Sequence, residues 1–256
     1  MPDAIDIAAV EDVCRRLAPD LTAVPLYILR AEELPADRGG LVKVLGYTYP
    51  DLDLHVSDLL GDEWRGRGPA MVLSAEQIAA DHPPEQLASM FLSVAVHELA
   101  HVLDMAALYP LEPARSESPR KQRPPSAVEL AEARHLAGSV SGPELPDEPE
   151  HHHGPGFLRA CVHLLHRADA LGVPLWRSTI VGGGDRKKCF GSDRYAAALG
   201  GEPVRMAGAS FAEIGRTPIP AALVELWQAE RDGLPLPARY RSSPAKEKTC
   251  PPLASP

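Results

Sequence analysis

Aromatic side chains make up only 5% of the 256 residues. A core of stacked rings is therefore excluded, and the interior falls to Leu, Val, Ile and Ala. Cysteine is scarce as well. Cys14, Cys161, Cys189 and Cys250 stand far apart without a CxxC pair, which excludes a disulfide framework or a cysteine-built zinc ribbon and predicts a reduced, cytoplasmic chain. No run of about 18 apolar residues occurs, so no membrane-spanning helix is predicted. Residues Met1 to Asp6 carry acids where an export signal needs basic residues and then an apolar run. Positive charge is outnumbered: 26 Lys and Arg face 35 Asp and Glu, a net charge of −9. That argues against a protein that coats nucleic acid. Only proline is in excess. Its 27 residues are about double the usual share, which excludes a continuous helical array and predicts long irregular connections.

The remaining pattern predicts an α+β domain over residues 1–232 and a Pro/Ser-rich, disordered tail over 233–256. Ile5 to Leu17 repeats apolar residues at helical spacing and stops before Pro19. Strands are predicted at Val24–Leu29, Leu41–Tyr47, Leu52–Val56 and Ala70–Leu73. Ser74 and Gln77 are spaced as a capping box for a short helix. Pro83-Pro84-Glu85 opens the longest helix, Leu87 to Leu108, which lacks Gly and Pro and is apolar on almost every face. Such a helix belongs in the middle of a domain. A Pro-rich insert follows at about 110–150, interrupted by one short helix capped by Ser126 and Glu129. A further helix runs from Gly154-Pro155 to Leu171-Gly172, with an apolar stripe of Phe157, Ala160/Cys161, Leu164, Ala168 and Leu171. Another covers Pro220 to Arg231.

Within the apolar helix stands Val96-His97-Glu98-Leu99-Ala100-His101-Val102, an HExxH pattern. Histidines at i and i+4 lie one above the other on one helix face, so both imidazoles can reach a single Zn²⁺. Glu98, beside the first ligand, is placed to take a proton from a water that the metal activates. Burying these three polar groups without partners would cost several kcal/mol, and a metal would satisfy them.

With this motif the chain resembles the zincin-type zinc metallopeptidases, over about residues 70–171. The resemblance implies a small twisted mixed sheet, an active-site helix carrying HExxH, and a second helix that brings a third zinc ligand. His153, in His153-Gly154-Pro155-Gly156-Phe157, is similar to the HGxxF signature of SprT-like and phage-type zincins, where that histidine binds the metal. There Gly154 would let the backbone turn close to the site and Phe157 would anchor the helix. His151 and His152 lack the right following residues. Glu129 with Ala133 fits the ExxxA of gluzincins, with Glu132 a turn further on. Gly191-Ser192-Asp193 is loosely similar to the GTxD of aspzincins. The ligand set favoured here is His97, His101 and His153. Asp104, on the same helix face as His101, would support a ligand histidine. The cysteine ribbon of many SprT relatives is missing.

The resemblance implies a zinc-dependent peptidase with Glu98 as general base and a peptide or protein substrate. It also implies that the strand at Ala70–Leu73 is the sheet edge beside the cleft. A second reading is a catalytically silent zincin-like module that binds zinc or a partner, and a third is a metal-free interaction domain. An inactive relative usually loses the glutamate, so an intact Glu98 favours the enzyme. Transition-state stabilisation needs a donor near the metal, and Tyr47, Tyr49, Arg134, Arg194 and Tyr195 are the candidates. His163, His166 and Arg159 are expected on a solvated helix face. His55 and His82 read as loop or cap residues, and His135 as a helix-surface residue. Gly182 to Lys188 lacks the phosphate-loop order and reads as a flexible turn.

Overall fold

The computed structural model describes residues 5–34, 45–48, 52–106, 153–182 and 192–240. The 110–150 insert and residues 241–256 therefore lie outside the described residues. Helix α1 spans Ile7–Leu17; the Asp6 carboxylate accepts a bond from the Ala9 amide at its start, and Arg15 and Arg16 face the carbonyl end of its dipole. A three-stranded mixed sheet follows, made of β1 (Tyr27–Arg30), β2 (Gly46–Thr48) and β3 (Ala70–Leu73). Helix α2 (Leu52–Leu60) lies between β2 and β3 in the chain. This overturns the strand expected at Leu52–Val56. Its alternating pattern fits a strand, but Leu52, Val56 and Leu60 also share a helix face. The Asp53 carboxylate, 1% exposed, is taken by Arg67 and by the Gly68 amide, a tie that needs it facing inward.

The sheet order is β1-β3-β2. β1 runs parallel to β3, with Tyr27 opposite Ala70, and β2 runs antiparallel to β3, with Tyr47 opposite Val72. Ala70–Leu73 is therefore the central strand, and every residue of it is buried. The expectation that it forms the edge is wrong, because β2 occupies its other side; the Ser74 amide also bonds the Leu45 carbonyl there. The side-chain period of two divides the sheet. Ile28, Met71 and Leu73 join the main helical core, while Tyr27, Ala70 and Val72 face a smaller cluster with Val56, Tyr47, Leu60 and Trp64.

Helix α3 (Ala75–Asp81) is capped by Ser74, whose hydroxyl accepts from the Gln77 amide. A 3-10 turn at Pro84–Gln86 leads into α4 (Leu87–Ala106), which crosses the inner face of the sheet. By length and composition Pro84–Asp104 would cross a membrane, with a mean hydropathy of 1.3, yet 78% of its most apolar window is buried inside this fold. It is the central helix of the core. Against it pack α5 (Pro155–Leu171) and α6 (Arg177–Gly182). Gly172 ends α5 with φ 68°, the left-handed cap that glycine adopts without penalty. Helices α7 (Ser192–Leu199), α8 (Glu202–Arg205), α9 (Phe211–Arg216) and α10 (Ala221–Arg231) complete the fold. Beyond α10, Tyr240 is buried against the core.

Helix α5 departs from its expected faces in two ways. Leu171 is 48% exposed, outside the core stripe. His163 and Arg159 are buried, where a solvated face was expected. The reason is Glu202 on α8: Arg159 Nε donates to its Oε1 at 2.6 Å, and His163 Nε2 lies 3.2 Å from the same oxygen. Arg159 also bonds the Thr217 carbonyl. The buried charge is thus paired, as burial requires.

Candidate metal centre

Polar residues recur every fourth position on one face of α4: Ser89, Ser93, His97 and His101. The α6 segment docks along this stripe. The Trp176 amide donates to Ser93 Oγ, the Trp176 indole to Ser89 Oγ, and Thr179 Oγ1 to the Met90 sulfur. One turn on, His97 Nδ1 lies 2.9 Å from the Ile180 carbonyl. A carbonyl only accepts, so Nδ1 carries the proton and Nε2 keeps its lone pair. Burial pushes the His97 pKa down, against the pull of the Ile180 and Thr179 backbone. The ring is therefore neutral at pH 7, the form that ligates a metal.

His101 follows on the same face, and His153 immediately precedes Gly154, the N-cap of α5. The three rings form a near-regular triangle, with centroids 5.0 Å apart for His97–His101, 5.2 Å for His97–His153 and 5.0 Å for His101–His153. One ligand nitrogen from each lies within 4.8 Å of the others. His97 Nε2 and His153 Nε2 stand 3.3 Å apart. Nitrogens bound tetrahedrally to zinc at 2.0–2.1 Å would be about 3.3–3.4 Å apart. The three histidines are therefore close enough to bind one metal ion, and this pair already has a tetrahedral spacing. Phe157, fully buried, forms the floor: it stacks on His101 at 4.2 Å and meets the edges of the other two rings. The expected anchoring role of Phe157 is met.

The Glu98 carboxylate reaches the sheet at Gly46. A Cβ added to Gly46 on β2 would lie 3.0 Å from Glu98 Oε1, 2.9 Å from Leu73 Cδ2 and 3.0 Å from Val94 Cγ1. Glycine at this edge strand is what lets the carboxylate fit below it. Glu98 is 4% exposed, and burial pushes its pKa up to about 8. A dication in the triangle would pull it back down. Asp104 abuts α5: a Cβ on Gly156 would overlap its Oδ1 and lie 3.3 Å from its Cγ. Burial pushes the Asp104 pKa up to about 6. The crowded glycine is thus Gly156. Gly154, with φ −70°, adopts backbone open to any residue.

Among the rival ligands, Asp193 is exposed on α7 and outside the histidine group. Glu129, Glu132, His151 and His152 lie outside the described residues, as do Tyr49, Arg134 and His135. Of the expected donors, Tyr47 packs on the far face of the sheet, the Tyr195 hydroxyl donates to Glu230, and Arg194 pairs with Glu230 at 3.9 Å. A cleft of about 630 Å³ near Arg16, Asp20, His166 and Glu213 contains none of the three histidines. Its acids are already engaged, Asp20 by the Ala212 amide and Glu213 by Ser210. Sequence reasoning missed Ile180 and Gly46. The four-residue spacing of Ser89, Ser93 and His97 was the available signal for the first. Compared with profiles of protein families, with curated proteins and with solved structures, the chain has no significant match.

Proposed function

We propose that the chain is a zinc-dependent peptidase of zincin-like architecture. The observation that carries this reading is the convergence of His97, His101 and His153, two from one HExxH turn and one from the start of the next long helix, with Glu98 buried beside the pair. Three imidazole donors suit zinc, which would leave a fourth position open. Zinc held by these three histidines would supply Lewis acidity for activating water and polarising a carbonyl. The chain's own part is then clear. Ile180 holds His97 in the ligating tautomer, Phe157 fixes the depth of the three rings, and Glu98 accepts a proton at its carboxylate and later delivers one to the leaving amine. The β2 edge lies over Glu98, which suits an extended peptide that adds as a further strand. The buried free thiols of Cys14 and Cys161 suit a reducing cytoplasm.

The depth of Glu98, 4% exposed, favours one alternative: a zinc-binding module that does not turn over substrate. Elemental analysis of untagged protein tests the metal, with about one zinc per chain expected. Less than a tenth of an equivalent, without uptake on adding zinc, rejects the metal centre. Glu98→Gln then separates the two readings. The enzyme keeps zinc and loses peptide hydrolysis by about two orders of magnitude or more. A silent module gives wild type and variant that are equally inert across a broad peptide library.

A further inference from the structure

We infer that Trp227 is a positioning residue for the third metal ligand, acting through the backbone of His153. The inference rests on reading the three histidines as a metal site. It concerns α10, where the sequence predicts a helix and no site residue.

His153 is held from a distant part of the chain. Gly154 makes no side-chain cap bond at the start of α5, and Pro155 has no amide proton to contribute. The hold comes from 74 residues along the chain, where Trp227 Nε1 donates to the His153 carbonyl at 3.0 Å. The indole N–H is donor only, and when buried it requires a partner. Trp227 is 7% exposed, on a helix whose Leu223 and Leu226 are fully buried. The Arg231 guanidinium lies over its ring, 4.8 Å from the centroid. One residue before Arg231, Glu230 accepts from Tyr195 and ties α10 to α7. The indole is thus a fixed post, and the peptide plane of His153 is set against it.

The geometry demands such precision. The imidazole of His153 projects several bonds from that backbone, so a small rotation there moves Nε2 by more than a zinc site tolerates, about 0.2 Å. His97 Nε2 waits at 3.3 Å, held by Ile180 on α6. The two ligands from different helices are therefore oriented by two separate C-terminal elements, one by accepting and one by donating a hydrogen bond.

The test is zinc affinity of the full chain, stripped of metal and titrated against a chromophoric chelator. Wild type, Trp227→Phe, His153→Ala and the double variant form a cycle. Trp227→Phe keeps an aromatic body and removes the donor. It should weaken zinc about tenfold, the scale of loss when a ligand's supporting bond is removed. In the His153→Ala background it should add less than about twofold, since its target ligand is already gone. If Trp227→Phe fails to fold, Trp227→Met, which fills the site without a donor, is read in the same way. Zinc affinity equal to wild type, or an equal loss in both backgrounds, overturns the proposal while leaving the metal centre standing. Wild type that takes up no zinc overturns the metal centre and this proposal with it.

Discussion

Glu98 gives the structure its sharpest thermodynamic signature. Its carboxyl is 4% exposed on α4, and burial raises its pKa from 4.5 to about 8 in the metal-free fold. A folded-state pKa raised above the unfolded value means that the group favours folding while protonated. That contribution is fully present below about pH 4.5 and is lost as the pH rises through about 8. Between pH 5.5 and 7.5 the unfolded chain has released this proton and the folded chain largely keeps it. Nearly one proton over two pH units, at about 1.4 kcal/mol per unit, gives a loss of about 2–3 kcal/mol. Glu98→Gln places a neutral amide of similar shape in the same site, so this part of the pH dependence should vanish. Asp104, raised to about 6, titrates in both proteins and drops out of the difference. The assay is urea denaturation of chelator-treated wild type and Glu98→Gln at the two pH values. Wild type should lose about 2–3 kcal/mol more than the variant. A difference under about 0.5 kcal/mol would refute the desolvated carboxyl. Saturating zinc should flatten the wild-type slope, because a dication beside Glu98 favours its charged form.

Gly156→Ala should push α4 and α5 apart, since its Cβ would overlap Asp104 Oδ1; the overpacking is worth about 1–3 kcal/mol, read as weakened zinc affinity and a lowered urea midpoint, with Asp104→Ala restoring part of both. Glu202→Ala should destabilise the fold by about 3–5 kcal/mol, because Arg159 would keep a buried charge without its 2.6 Å partner; chemical denaturation reads this loss, and a loss below 1 kcal/mol would show that water reaches the pair.

The helices of this chain were legible wherever caps and periodicity agreed. Ser74 and Gly172 mark the ends they were expected to mark, and α4 is the apolar central helix that its composition predicts. The errors share one cause, a partner distant in sequence. Residues 52–56 alternate like a strand, and only the bond of Asp53 to Gly68 shows why they coil. Arg159 and His163 read as solvated until Glu202 arrives from α8. The family resemblance placed Ala70–Leu73 at an edge, and a parallel β1–β3 pair with β2 added antiparallel outside it leaves no local trace to correct it. Local propensity is a weak guide where tertiary pairing decides.

The candidate site divides along the same line. His97 and His101 are related by helix geometry alone, so their spacing sufficed. His153 was placed by its resemblance to a motif and is brought to them by Phe157, whose ring touches all three imidazoles. What orients these ligands is carried by groups that no residue pattern encodes. The Ile180 carbonyl is backbone, identical in every sequence, and it becomes specific only because Ser93 and Ser89 hold Trp176 one turn away. A polar stripe at four-residue spacing on a buried helix is therefore better read as a docking line than as scattered satisfied residues. Here that line delivers a carbonyl to Nδ1 of His97, so that Nε2, 3.3 Å from His153 Nε2, keeps the lone pair that a metal would take.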